Sequence, residues 1–216
     1  WIVRASDLQI LKFNAESFKI SAPKQLSSAI WTQDSQLLFL LSNGNQSETN
    51  YELWKSKADD ISPEQVKVLM GQAGERSIGI HSLSPNNQQM ILVNGTLQLF
   101  FADLNTGKLK ALSGGTGGEW SPDSSQFVFQ AVAALDDPKY KGYADPNRPL
   151  ADIMLYDVKQ EQLKSLTQTP ALHEEFPQWS PDGQSLAYTV SGTRNEAGVF
   201  VVKPDGTNSI KVSRSI

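Results

Sequence analysis

Apolar residues in this chain come in short bursts rather than at helical spacing. One set occupies residues 37–41, 90–93, 127–132 and 186–190, a second 51–54, 97–102, 152–158 and 198–202, and a weaker third 66–69, 109–112, 162–166 and 209–212. The bursts are rich in Val, Ile, Leu, Phe and Tyr and are bounded by Gly, Pro, Asn, Asp or Ser, which is how strands read. No long window free of breakers places apolar residues at i, i+3, i+4 and i+7, so helix is a minor component at most.

The bursts are ordered by a repeated anchor: Trp31-Thr-Gln-Asp34, Leu83-Ser-Pro-Asn86, Trp120-Ser-Pro-Asp123 and Trp179-Ser-Pro-Asp182. With a short segment before each anchor, every unit offers four strands. The anchors are spaced 52, 37 and 59 residues apart, which brackets the roughly 40–50 residues of a four-stranded propeller blade. In Ser180-Pro181-Asp182-Gly183, serine, proline and glycine take positions i, i+1 and i+3 of a type I turn, where each is favoured. The segments headed by Pro122 and Pro85 are weaker copies. A second turn recurs between the last two strands of a unit, at residues 103–108, 157–161 and 203–207, and predicts antiparallel hairpins.

The expected architecture is an all-β propeller of four-stranded antiparallel blades in a single domain, 1–216. A partial blade covers 1–27, and complete blades cover 28–70, 78–113, 117–168 (with an inserted loop, 133–151) and 174–216. Residues 1–27 align with the last three strands of a unit. Either the final residues begin the missing strand and five blades close a ring, or the chain is part of a six- to eight-bladed ring. A propeller must close its ring or leave raw sheet edges, and the second is the favoured expectation.

Charge and composition narrow the function. The 216 residues carry 19 Lys and Arg against 23 Asp and Glu, a formal charge of −4, with no basic run to track phosphates. Nucleic acid is therefore not expected as a partner. There is no cysteine, which removes disulfides, thiolate metal sites and cysteine nucleophiles. No apolar run approaches the roughly 18 residues of a membrane span, and no signal peptide is visible.

Chemistry would have to draw on His81 and His173, the only two histidines. His173 lies beside Glu174 and Glu175, but the spacing matches no metalloprotease motif. An exposed loop histidine in an acidic turn is the expected reading, and neither a metal nor a cofactor is expected. His81 precedes an anchor, where a first strand would let it face a central channel. Gly114–Gly118 lacks the Gly-Lys-Ser/Thr continuation of a phosphate loop and reads as a flexible linker between blades. Because Trp31, Asp34, Pro85, Trp120, Pro122, Asp123, Trp179, Pro181, Asp182 and Gly183 recur once per unit, their expected role is structural: tryptophans between blades, carboxylates bonded to their own turns. The inserted loop carries Tyr140, Tyr143, Asp145 and Arg148, residue types favoured at binding hot spots. With His173, Glu174 and Arg194 it forms the expected binding rim.

The run Gln178-Trp-Ser-Pro-Asp-Gly-Gln-Ser-Leu-Ala-Tyr188, followed by Val199-Phe-Val-Val-Lys-Pro-Asp-Gly206, resembles the TolB-like (PD40, WD40-like) β-propeller repeat. Glu119-Trp-Ser-Pro-Asp123 with Ile153-Met-Leu-Tyr-Asp157 is a second copy, and the resemblance covers most of the chain. It implies a non-enzymatic, protein-binding scaffold, periplasmic or secreted, in a bacterial cell envelope. It also implies a rival, since the same repeat forms the propeller of prolyl-oligopeptidase-like serine peptidases and occurs beside glycan-processing chemistry. No Gly-x-Ser-x-Gly elbow lies in these residues, so an enzyme is the less expected outcome.

Overall fold

The computed structural model describes residues 2–3, 10–11, 25–42, 50–57, 64–70, 78–132, 151–167, 169, 172–191 and 196–213. Among them every regular element is a strand. β1 (Ile2–Val3) pairs antiparallel with β2 (Ile10–Leu11). β3 (Gln25–Trp31), β4 (Gln36–Ser42), β5 (Asn50–Lys57) and β6 (Glu64–Met70) form a four-stranded meander. β7 (Ile78–Leu83), β8 (Gln89–Asn94), β9 (Gln98–Asp103) and the start of β10 (Leu109–Trp120) form the next. The later residues of β10 open a third with β11 (Gln126–Val132), β12 (Ala151–Asp157) and β13 (Gln162–Ser165). β14 (His173–Trp179), β15 (Leu186–Ser191), β16 (Gly198–Val202) and β17 (Ile210–Lys211) form the last. The registered pairings within these meanders are antiparallel. The chain divides into two compact units, Trp1–Ala111 and Leu112–Ile216.

Each unit has its own apolar core. In the first, Leu40, Leu53, Leu69, Ile78, Met90 and Leu92 are fully buried in one cluster. On the other face of β4, Leu37, Phe39 and Leu41 form a second cluster, so this strand is an unbroken apolar run covered on both sides. In the second unit, Val128, Ile153, Leu155, Leu186 and Tyr188 pack around Trp179.

The anchor turns take the form the sequence suggests. Ser124 N–H donates to Ser121 O at 2.9 Å, and Gln126 N–H donates to Ser121 Oγ at 2.9 Å. Asp123 Oδ1 accepts the Ser121 hydroxyl at 2.6 Å and the Ser125 N–H at 3.0 Å. Asp182 repeats this with Ser180 at 2.6 Å and Gln184 N–H at 3.0 Å, and Asn86 with Ser84 at 2.8 Å and Gln88 N–H at 3.0 Å. The Ser121 hydroxyl, then the Ser125 N–H, hold the Asp123 carboxyl below its ordinary range, and Ser180 and Gln184 do the same for Asp182. Asp34 departs in detail: it accepts Gln36 Nε2 at 2.7 Å. The fourth turn position is left-handed in all four copies, at Ser35, Asn87, Ser124 and Gly183 (φ 61°, 58°, 64° and 69°), though glycine supplies it only once.

Three expectations change. Gly114–Gly118 is not a flexible linker but the middle of β10, because Gly115 and Thr116 pair with Ala131 and Gln130 on β11. His173 and Glu174 do not lie in an exposed turn: they open β14, and Glu174 is 1% exposed. The cause is a ready set of partners, since the Thr167 and Thr169 hydroxyls both donate to the Glu174 carboxylate. Trp120 and Trp179 are buried at 6% and 9% exposure, whereas Trp31 is 48% exposed.

Candidate functional site

The first strand of every meander is irregular. The pairing register shifts between Leu26 and Ser28 in β3, Ile80 and Ser82 in β7, Thr116 and Glu119 in β10, and Glu175 and Gln178 in β14. Such bulges bend a strand and re-aim its side chains, and they concentrate next to binding and active sites.

In the first unit the irregularity is used for lacing. The Ser27 hydroxyl donates to the Ile78 carbonyl, and Ser28 Oγ accepts the Ile80 N–H at 2.5 Å. His81, half-buried, is the residue displaced by the β7 bulge.

In the second unit the two bulges open a cleft. It holds about 520 Å3 and is lined by Thr116, Gly117, Gly118, Glu119 and Gln130 on one side and Phe176, Pro177 and Gln178 on the other. Glu119 joins the two strands: its Oε2 accepts the Trp179 N–H at 2.7 Å, and its backbone carbonyl accepts the Trp179 indole N–H at 3.2 Å. One wall is glycine for a reason. Gly118 has φ of +119°, and a Cβ there would stand 2.5 Å from Phe127 Cζ and 2.6 Å from the Val128 carbonyl. Beneath it, Phe127 stacks with Phe129 at 5.9 Å and meets Trp120 at 5.3 Å.

Phe176 is the conspicuous residue. Its φ is +54°, a left-handed backbone that a bulky residue adopts rarely. The following Pro177 adds to the strain, because a residue before proline is steered to extended conformations. Strain of this kind costs about 1–3 kcal/mol and gathers at functional sites. It holds a large apolar ring 69% exposed.

Behind the cleft, the acidic groups of β14 are engaged. His173 Nε2 lies 3.0 Å from Glu175 Oε1, and the Ser191 hydroxyl donates to Glu175 Oε2 at 3.3 Å. Thr167 Oγ1, which donates to Glu174, accepts the Ile153 N–H at 2.9 Å, so the buried carboxylate ties β14 to β12. No group of three or more His, Asp or Glu able to hold a metal occurs among the described residues, and no helix there is long and apolar enough to cross a membrane.

Of the expected rim, His173 and Glu174 are thus the described members, the first half-buried and the second buried. Tyr140, Tyr143, Asp145, Arg148 and Arg194 lie outside the described residues. Glu119 closes the 114–119 segment expected on the rim, but the cleft residues Phe176 and Gln178 were not among the expected site residues. The available signals were Gly117-Gly118 and Phe176-Pro177, each just upstream of an anchor tryptophan, since glycine and proline inside a strand mark bulges.

No protein-family model and no curated protein matches the chain. Solved structures do. A prolyl endopeptidase is similar at 13% identity and a TM-score of 0.57, over 89% of this chain and 30% of that one. An oligogalacturonate lyase from Vibrio parahaemolyticus is similar at 18% identity and a TM-score of 0.55, over 88% of this chain and 52% of that one. The Cps50 (Swd1) β-propeller domain of Myceliophteria thermophila is similar at 14% identity and a TM-score of 0.50, over 90% of this chain and 60% of that one. The chain therefore spans between 30% and 60% of the length of these structures. Together with the repeated antiparallel meanders, they establish the fold as a β-propeller.

Proposed function

We propose that this propeller is a non-enzymatic scaffold that binds a partner protein at the rim expected to carry residues 133–151 with His173, Glu174 and Arg194 as neighbours, in a bacterial periplasm or outside the cell. The observation that supports it most is the strained, solvent-facing Phe176 in a cleft between two bulged strands. An exposed ring held at a backbone cost suits recognition, because aromatic residues dominate interface energetics. The acidic and histidine side chains of β14 are committed to structural bonds with Thr167, Thr169, Ser191 and one another. Tyr140, Tyr143, Asp145, Arg148 and Arg194 supply further contacts in this reading. The envelope location follows from the repeat resemblance.

The test compares the two ends of the second unit. A partner is isolated from the native envelope fraction, and its affinity is measured for Tyr140→Ala/Tyr143→Ala and for Gln184→Glu/Lys203→Glu at the opposite, tight-turn end. The first pair should weaken binding tenfold or more, since each ~1.4 kcal/mol is tenfold, and the second should leave it unchanged. The reverse pattern refutes the docking face. A Gly-x-Ser-x-Gly hydrolase domain in the adjoining reading frame would refute the pure scaffold.

A further inference from the structure

Resting on the protein-binding reading above, we propose that the β10–β14 cleft receives an arginine side chain of the partner, its guanidinium lying on Phe176 and pairing with Glu119. Charge is the first reason. The lining residues include one carboxylate and no lysine or arginine. Among these lining residues an anion would meet only the like charge of Glu119, whereas a cation is complemented. Glu119 is solvent-exposed, and its bond to the Trp179 N–H engages Oε2. That bond holds the carboxylate between the two strands, and in this proposal Oε1 takes the guanidinium.

The ring is the second reason. Phe176 is 69% exposed, and a cation over an aromatic face is attracted by the ring quadrupole. A guanidinium fits both partners better than an ammonium. It is planar, so it stacks, and its five donors suit several acceptors at once. Gln130 and Gln178, also in the lining, offer amide oxygens for the donors that Glu119 does not take.

Strand addition is the alternative way for a protein segment to bind here, and the strands argue against it. Both β10 and β14 lose register at the cleft, so neither presents the regular ladder that an added strand requires. A single inserted side chain makes no such demand.

The experiment uses the full chain labelled with 15N and follows the amide resonances of Gly117 and Gly118 during titration with N-acetyl-arginine N-methylamide. Parallel titrations use the lysine analogue, the neutral isostere citrulline and methyl glucoside. Arginine should shift both glycines, with citrulline at least tenfold weaker and lysine in between. Glu119→Gln retains an acceptor for the Trp179 N–H and should weaken arginine roughly tenfold. Phe176→Ala should weaken it roughly threefold to thirtyfold, and Phe176→Tyr should restore it. Equal shifts from citrulline or the glucoside, or no arginine-specific shift, overturn the inference. If partner binding still depends on Tyr140 and Tyr143 in that event, the scaffold reading stands and the cleft assignment alone falls.

Discussion

Four neighbouring glycines in β10 allow backbone strain and steric room to be separated. At Gly114 an added Cβ would meet nothing within 4 Å, so Gly114→Ala should be neutral or stabilise by up to about 1 kcal/mol through the unfolded chain. Gly117 has φ of +61° and equally open space, so alanine there incurs the left-handed strain alone, about 1–2 kcal/mol. At Gly115 a Cβ would lie 2.7 Å from both the Gln130 carbonyl and Phe129 Cδ2. The carbonyl belongs to the paired strand and cannot rotate away, so overpacking of about 1–3 kcal/mol is expected. Gly118 combines φ of +119° with contacts of 2.5 Å to Phe127 and 2.6 Å to the Val128 carbonyl, and alanine there should destabilise by about 2–5 kcal/mol. Urea unfolding followed by tryptophan fluorescence gives the four midpoints, and unchanged slopes would confirm that stability alone has moved. The predicted order of loss is Gly114, then Gly117, then Gly115, with Gly118 greatest. Four nearly neutral substitutions would mean that the segment is a loose linker after all, and the bulge account would fail.

Removing the buried carboxylate by Glu174→Ala leaves the Thr167 and Thr169 hydroxyls without their acceptor and should destabilise the second unit by about 2–4 kcal/mol in urea titrations, with Glu174→Gln milder. Burial, then Glu161 and Asp157, push the Tyr156 phenol from 10.0 up to about 12. The folded state thus holds that proton more tightly than the unfolded chain. Its contribution, on the order of 2 kcal/mol, should be complete below pH 10 and disappear as pH rises through about 12, which denaturation midpoints and phenolate absorbance would both report. Ser35→Gly, at an exposed turn position with φ of 61°, should raise stability by about 0.5–1 kcal/mol, read as a higher unfolding midpoint.

The regular part of the fold was legible because it is written locally. Ser121-Pro122-Asp123 and Ser180-Pro181-Asp182 encode their turns in three residues, and the apolar bursts between them become β4, β8, β11 and β15 nearly to the residue. What was not legible depends on neighbours distant in sequence. Gly114–Gly118 looks like a linker until β11 is beside it. Glu174 looks solvated until Thr167 and Thr169 converge on it. Trp31 looks equivalent to Trp179, yet Trp179 is seated by its bonds to Glu119 and buried, whereas Trp31 is exposed. The cleft was hidden for the same reason: Phe176 alternates like any strand residue until the register shift between Glu175 and Gln178 turns it outward.

The most direct test of the account is photo-cross-linking in the native cell, with p-benzoyl-phenylalanine replacing Phe176 in one variant and Lys203, at the tight-turn end, in another. Mass spectrometry of the adducts should place the Phe176 cross-links in a partner protein within a few residues of an arginine, with few or none from position 203. Cross-links concentrated at 203, or Phe176 adducts on partner segments without arginine, would contradict it.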